Sequence, residues 1–163
     1  METIITAATI LSMYLSSAMN ENAPYSYNAD IENGRVNTMY VYNRDGNYLT
    51  AKLAYTYEYD DQDRLVKKEV MRWDAVRNEW VKDHCLELTY DVEGYEVSKR
   101  NWNRKDQAYE PAKEKAVYHY EFSQVMSVNY LRRQAIENGF ESVGKMLVMN
   151  PAEDILLATA LRN

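Results

Sequence analysis

The sequence predicts an all-β protein, an antiparallel meander of repeated long hairpins with a short C-terminal α-helix. Two observations predict this fold class. An aromatic strand end, an acidic turn and a new strand recur at residues 40–46, 57–65 and 88–95, and apolar and polar side chains alternate between these turns. A repeated unit of this kind buries its apolar face only by stacking on its neighbours. The pattern is compatible with an open twisted sheet, a sandwich or a partial barrel.

The first 18 residues have the pattern of a secretory signal peptide. Their middle is apolar, and they end with small residues, Ser16 and Ala18, at the two positions that a signal peptidase reads. Glu2 stands where a basic residue is usual, so the alternative is an N-terminal core helix or strand. The sequence therefore predicts a signal peptide over residues 1–18 and a single β-repeat domain over residues 19–163.

Glycine and asparagine or acidic residues mark the hairpin turns. Four of the five glycines, Gly34, Gly46, Gly94 and Gly139, follow such a residue, and Asn-Gly and Asp-Gly pairs favour tight hairpin turns. After the second of these turns the alternation predicts that six side chains share one face of a strand. They are Leu49, Ala51, Leu53, Tyr55, Tyr57 and Tyr59.

Two longer loops are each bracketed by aromatic residues seven positions apart. Trp73 and Trp80 enclose the first loop, and Trp102 and Tyr109 enclose the second. We interpret both as hairpin loops whose flanking rings pair across the strands. These four rings are the candidate ligand-binding residues, for a glycan, a peptide or a protein. The alternative is that the rings only hold the hairpins together or fill the core.

The C-terminal third carries two signals. Repeat register predicts strands over residues 126–148, although residues 130–137 alone would suit a helix. Asn150 as a cap, Pro151 at the first helical position and Glu153 then predict a helix over about residues 151–161.

Composition excludes several classes of function. The chain has 25 acidic and 19 basic residues and a net charge of −6, and its basic residues alternate with acidic ones, so no nucleic acid partner is expected. No segment after the N-terminal one is long and apolar enough to span a membrane. Cys85 is the only cysteine, which leaves no cysteine for a disulfide or for lipid attachment after the signal. We therefore expect a soluble periplasmic or extracellular product that is not a lipoprotein.

The sequence predicts no catalytic residue, metal site or cofactor. The acidic turns lack the ligand spacing of a calcium loop, and an aspartate that opens a turn ordinarily binds its own backbone. His84 and Cys85 are adjacent in a predicted strand, so they should point to opposite faces and cannot form a catalytic dyad. A carboxylate pair for glycoside hydrolysis would need two acids that meet in space, and nothing in the sequence selects such a pair.

The repeat unit at residues 57–65, followed by Lys67, Lys68, Glu69 and the Trp73-Asp74 hairpin, resembles a family of uncharacterised secreted proteins from Bacteroides-type gut bacteria. The resemblance covers roughly residues 25–140. It implies an all-β repeat fold, export from the cytoplasm and no assigned activity. More distantly, the Tyr-Asp turns are similar to the YD repeats of large bacterial toxin shells and adhesion proteins.

The function predicted from these observations is that of a secreted, non-enzymatic β-repeat protein. Its aromatic-rich sheet would bind a glycan, a peptide or another protein. The alternative is a structural unit that assembles by pairing its sheet edges, and a hydrolase is the third hypothesis.

Overall fold

The structure is a computed structural model that describes residues 4–20, 22–122 and 125–149. In these residues one short helix is followed by ten β-strands in an antiparallel meander, which confirms the predicted fold class. The helix α1 spans Ala7–Ala18. The strands are β1 Tyr25–Glu32, β2 Arg35–Asp45, β3 Tyr48–Tyr59, β4 Leu65–Asp74, β5 Glu79–Tyr90, β6 Gly94–Asn103, β7 Ala108–Tyr109, β8 Glu114–Phe122, β9 Val125–Arg132 and β10 Glu141–Met149.

Strand order in the sheet follows the order of the chain. The path runs from β1 to β6 and then through β8, β9 and β10, while the short β7 pairs with β6 off this path. Over the described residues β1 and β10 lie at the two ends of the order, so the sheet is open, one of the three arrangements that the sequence left possible. Each strand can reach its neighbour by a short connection because the pairs are antiparallel.

The helix of the described structure lies at the N-terminus. Thr6 caps it, because its Oγ1 accepts a hydrogen bond from the Thr9 backbone N at 3.3 Å and the Thr9 side chain accepts one from the Thr6 backbone N at 3.3 Å. Ile5 and Ile10 are buried, at 0% and 1% exposure. The segment thus forms a packed helix here, and the signal peptide over residues 1–18 stays a prediction. The predicted C-terminal helix at about residues 151–161 lies outside the described residues.

Contacts divide the chain into two compact units, and the division falls within β5. We call Ile5–His84 the N-terminal unit and the part from Cys85 onward the C-terminal unit. In the N-terminal unit α1 packs against β1 and β2. The core of this unit is formed by apolar side chains from the helix, from the residues just before it and from β2 to β4, chiefly Ile5, Ile10, Val36, Val41, Leu53, Tyr55, Leu65 and Val70.

A β-bulge changes the predicted alternation in β3. Val41 of β2 pairs with Leu53, whereas the next residue, Tyr42, pairs with Ala51, so Lys52 is an extra residue in the ladder. One inserted residue moves the side chains on one side of it to the other face. The prediction that six side chains share a face is therefore wrong for the two that precede the bulge, and the alternation holds from Leu53 onward.

The acidic turns are built on side-chain hydrogen bonds to the backbone. Asp60 Oδ1 accepts from the backbone N of Gln62 and of Arg64, both at 2.9 Å, and Asp91 Oδ1 accepts from the backbone N of Glu93 and of Gly94, both at 2.8 Å. These bonds confirm that the turn aspartates bind their own backbone. The repeated spelling therefore encodes a repeated turn geometry.

The C-terminal unit has a tyrosine core. Tyr95 and Tyr118 stack with ring centroids 4.8 Å apart, and Tyr90 lies 5.7 Å from Tyr95. At the start of β6, Gly94 approaches the chain so closely that a Cβ there would overlap the carbonyl oxygen of Tyr118. The strands β9 and β10 confirm the prediction of strands within residues 126–148, so the repeat register was the better guide than helix propensity.

Candidate functional site

The first aromatic hairpin joins β4 to β5. Trp73 and Trp80 meet edge to face, with ring centroids 5.0 Å apart and an interplanar angle of 65°. The turn between them is shaped by Asp74, whose Oδ1 accepts from the backbone N of Val76 at 3.0 Å and of Arg77 at 3.1 Å. The predicted pairing of the two rings across the hairpin is confirmed, and such a pair stabilises a ribbon of two strands.

The second aromatic hairpin joins β6 to β7 and repeats this geometry. Trp102 pairs with Tyr109 in the ladder, and their rings meet edge to face at 4.9 Å and 71°. Asn103 takes the place of the turn aspartate, with its Oδ1 accepting from the backbone N of Lys105 at 2.9 Å. Arg100 braces the hairpin, because its guanidinium donates to the carbonyl oxygen of Tyr109 at 3.1 Å.

A third ring lies beside the first hairpin. The ring of Tyr40, on β2, lies with its centroid 5.9 Å from that of Trp80, at an angle of 42°. Tyr40, Trp73 and Trp80 thus form one group, which we call the aromatic cluster. All three side chains are partly exposed to solvent. The four residues that the sequence selected therefore fall into two pairs, one in each unit, and the N-terminal pair belongs to a group of three rings.

Register places the aromatic cluster on one face of the N-terminal unit. Tyr40 pairs with Ala54, and Ala54 pairs with Met71. Trp73 is two residues from Met71 on the same strand and so shares its face. Ala54 itself has no exposed surface, as expected for a small residue flanked by large ones.

Charged and polar groups lie on the same face as the aromatic cluster. The Tyr40 hydroxyl donates to Asp30 Oδ2 at 3.1 Å, and burial, followed by this hydrogen bond and the charge of Asp30, raises the pKa of Tyr40. Glu69 is two residues from Met71, and its Oε1 accepts from Lys82 Nζ at 3.1 Å. The cluster is therefore an amphipathic surface that combines aromatic rings with a carboxylate and an ion pair.

Sequence reasoning missed Tyr40, Asp30 and the Glu69–Lys82 pair as members of this surface. The aromatic repeat contained Tyr40, but its contact with Trp80 joins strands that are not adjacent in the sheet. Such a contact depends on the size and direction of the side chains, and no periodicity in the sequence encodes it.

A buried His–Asp contact lies in β5. His84 Nδ1 is 2.6 Å from Asp83 Oδ2, while Arg72 Nε donates to the other oxygen, Oδ1, at 2.9 Å. Burial alone would raise the pKa of Asp83, but the bonds from Arg72 and His84 outweigh it, and the pKa is lowered. The carboxylate is thus held in its charged form between two donors, which is an arrangement that orients side chains.

Metal ligands are not clustered in the described part of the chain. No group of three or more His, Cys, Asp or Glu side chains there has the geometry to hold an ion. Among the described residues no helix has both the length and the apolar composition needed to cross a membrane.

Three solved structures are similar to this chain. A DUF3836 family protein from Bacteroides vulgatus ATCC 8482 is 26% identical, with a TM-score of 0.52 over 53% of this chain and 89% of its own. A protein of unknown function from Bacteroides fragilis NCTC 9343 is 16% identical, with a TM-score of 0.66 over 79% of this chain and 95% of its own. A DUF3836 family protein from Parabacteroides distasonis ATCC 8503 is 18% identical, with a TM-score of 0.53 over 80% of this chain and 95% of its own.

The two structures of lower identity show the fold alone, and the sequence itself shows the family. No curated protein matches the chain. Residues 1–120 match the profile of DUF3836, described as a family of unknown function. This match agrees with the resemblance to uncharacterised Bacteroides-type proteins, and the similarity to YD repeats stays a prediction. Because the profile covers the repeat units, both aromatic hairpins and the N-terminal helix, the chain belongs to the DUF3836 family.

Proposed function

We propose that the protein is an exported, non-enzymatic binding protein that uses the aromatic cluster to bind saccharides. The observation that carries the proposal is the third ring, Tyr40, beside the paired tryptophans. A cross-strand pair is enough to stabilise a hairpin, so the additional ring extends the aromatic area beyond what the hairpin requires.

The groups around the cluster suit a saccharide. A sugar ring has an apolar face of C–H groups that can stack on an aromatic ring, and its hydroxyls donate to carboxylates and accept from ammonium groups. Asp30 and the Glu69–Lys82 pair supply both kinds of partner on the same face. Sites of this class combine aromatic lining with a few placed polar groups.

Two carboxylates with shifted pKa values, Asp83 and Asp60, support a non-enzymatic function. A glycoside hydrolase needs an acid with a raised pKa. The pKa of Asp83 is lowered, as described above. At Asp60 burial raises the pKa, but hydrogen bonds from Arg64 and Gln62 lower it by more than burial raises it. The pKa of Asp60 is therefore also lowered. Both carboxylates are therefore kept charged.

Export is supported by the composition of residues 1–18, with their apolar middle and small residues at Ser16 and Ala18. The measurement is the intact mass of the protein purified from the cells that make it. A mass lower by residues 1–18, in the periplasm or the medium, is the expected result. A full-length protein that stays in the cytoplasm would overturn the export part of the proposal.

Tyr40→Ala tests the binding site. Tyr40 lies on β2, outside the hairpin, so the substitution removes the third ring and leaves the Trp73–Trp80 pair in place. We expect wild-type tryptophan fluorescence to change in a saturable way with at least one neutral oligosaccharide of a panel, and Tyr40→Ala to weaken that affinity at least tenfold.

Trp102→Ala is the matched control, because it breaks a pair of the same geometry in the C-terminal unit. It should lower stability and leave affinity within twofold. A silent panel, or an equal loss of affinity in both variants, would argue against the aromatic cluster as the site.

The second candidate function is assembly through sheet edges, and one observation favours it. The strand β10, at one end of the strand order, exposes Val143 at 60%, Met146 at 53% and Leu147 at 67%. An apolar edge strand is a template for pairing with another chain. Sedimentation analysis over a hundredfold range of concentration should show a dimer that Leu147→Lys abolishes, and a monomer at all concentrations would exclude this role.

A further inference from the structure

The C-terminal unit contains a cavity of about 340 Å³ lined mainly by charged side chains. Four of them are basic, namely Lys99, Lys113, Arg132 and Arg133. The volume lies at the lower end of the ~300–1,000 Å³ that is typical of small-molecule sites. It is large enough for a molecule of about the size of a single sugar.

The charges of this cavity do not balance. Glu114 Oε1 is 2.9 Å from Arg132 Nη2, so these two charges neutralise each other. Glu110, also in the lining, accepts from the side-chain amide of Asn103 at 3.3 Å. One carboxylate therefore faces three remaining basic groups, an excess of positive charge in a chain whose net charge is −6.

Two of the three remaining basic groups, those of Lys99 and Lys113, are not engaged with other described groups. Within residues 4–20, 22–122 and 125–149, the ammonium groups of Lys99 and Lys113 make no hydrogen bond, ion pair or ring contact. The Lys99 side chain is half-buried and the Lys113 side chain is exposed. An ammonium group can form a charge-assisted hydrogen bond with a bound anion.

The third cation is held rigidly. Arg133 Nε donates to the carbonyl oxygen of Ala112 at 2.9 Å, and its Nη1 donates to that of Ile136 at 3.0 Å. Its guanidinium also lies over the ring of Phe140, 4.6 Å from the centroid. These partners are neutral, so the positive charge stays available to a ligand while its position is fixed in advance.

We infer that this cavity binds a small polyhydroxylated carboxylate, with the carboxylate between Lys99 and Lys113 and the hydroxyls directed to Glu110 and Glu114. The basic groups select the anionic end, and the acidic groups of the lining accept from hydroxyl donors. A simple inorganic anion would interact only with the basic groups. The site is separate from the aromatic cluster and does not rest on the function proposed for it.

The experiment is calorimetric titration of the full chain with glucuronate, glucose and sulfate. Glucuronate carries both chemistries, glucose only the hydroxyls, and sulfate only the negative charge. We expect saturable binding of glucuronate that weakens as salt is added, because screening reduces the attraction between exposed charges. We expect glucose not to bind and sulfate to bind at least fivefold more weakly.

Two variants locate the site. The double variant K99Q/K113Q should weaken glucuronate binding at least tenfold, while K105Q, which removes an exposed lysine from the nearby hairpin turn, should leave it unchanged. All three substituted lysines are at least partly exposed, so the fold should tolerate them, and equal urea midpoints would verify this.

The inference is overturned by any of three results. They are no saturable binding of glucuronate at 20 mM, binding of glucose or sulfate with the affinity of glucuronate, or an equal loss of affinity in K105Q. Binding to the aromatic cluster is separable from this result, since Tyr40→Ala should leave the affinity for glucuronate unchanged.

Discussion

Gly94 is constrained by the backbone of the neighbouring strand. A Cβ at this position would overlap the carbonyl oxygen of Tyr118, which is part of the sheet and cannot move aside as a flexible side chain could. We expect Gly94→Ala to lower the free energy of unfolding by about 1–3 kcal/mol, the range found for overpacked sites, as measured by urea titration.

Gly144→Ala is the control for this substitution. Gly144 also lies in a strand, β10, but a Cβ there would have no atom within 4 Å. The change should be neutral or slightly stabilising, since alanine restricts the unfolded chain more than glycine does. Equal losses in both variants would contradict the close approach at Gly94.

Lys68 is fully buried, and this burial lowers its pKa to about 7. Its Nζ lies over the ring of Tyr55, 4.0 Å from the centroid. Between that pKa and the value near 10 of an unfolded lysine, the unfolded chain binds more protons than the folded one. Stability should therefore rise with pH through this window, by roughly 2 kcal/mol between pH 7 and 9.

Lys68→Met tests this linkage, because it keeps the length of the side chain and removes the charge. The variant should be more stable than the wild type near pH 6, and its stability should change less between pH 6 and 9. Urea titrations at several pH values measure both effects. A wild-type slope that persists in the variant would assign the pH dependence to another group.

Sequence predicted the role of some single residues and not of others. The turn aspartates Asp60 and Asp91 were predicted correctly, because an Asx turn is a local interaction. Gly94 was predicted as a turn residue, whereas the structure shows that its constraint is the carbonyl of Tyr118, a residue distant in sequence. The burial of Lys68 could not be predicted, since a lysine in a strand is ordinarily solvated.

At the scale of elements, the Trp102–Tyr109 pair should stabilise its hairpin beyond the area that it buries. We expect the two alanine variants and the double variant, compared in a cycle, to give a coupling of ~0.5–1.5 kcal/mol, as for other aromatic pairs in edge-to-face contact. Additive losses would show that the rings contribute independently. The measurement is urea unfolding followed by circular dichroism.

Hairpins were predictable as elements because their signals are local. The aromatic pairs, the acidic turns and the alternation all lie within a few residues of one another. The bulge at Lys52 was not predictable, because the pairing of β2 with β3 decides where an extra residue is accommodated. The cavity could not be predicted for a related reason. Its basic residues come from three separate segments, and each resembles an ordinary surface charge.

For the whole molecule, the helix α1 provides the sharpest prediction. Ile5 and Ile10 are buried in the full chain, and burying such a side chain stabilises a protein by ~1.5–3 kcal/mol. Deleting residues 1–18 should thus cost about 3 kcal/mol or more, seen as a lower urea midpoint. An unchanged midpoint would show that α1 does not stabilise the remainder of the chain, whereas a lowered midpoint is compatible with cleavage of a chain that still folds without it.

The fold class followed from the repeat because every long strand pairs with the strand before it. A meander needs only neighbour-to-neighbour pairing, which a periodic sequence specifies well. The open sheet was one of three arrangements compatible with the sequence. Whether the two outer strands pair and close the sheet depends on the accumulated twist and on the side chains of those strands. Neither property has a periodic signal in the sequence.

The sequential strand order has a consequence for how such proteins can change in length. Between the long strands that the structure describes, no connection passes over another strand, so a whole hairpin can be duplicated or lost without rerouting the rest of these strands. A gene encoding this fold can therefore lengthen or shorten in steps of one hairpin, and each intermediate product is still a continuous ladder.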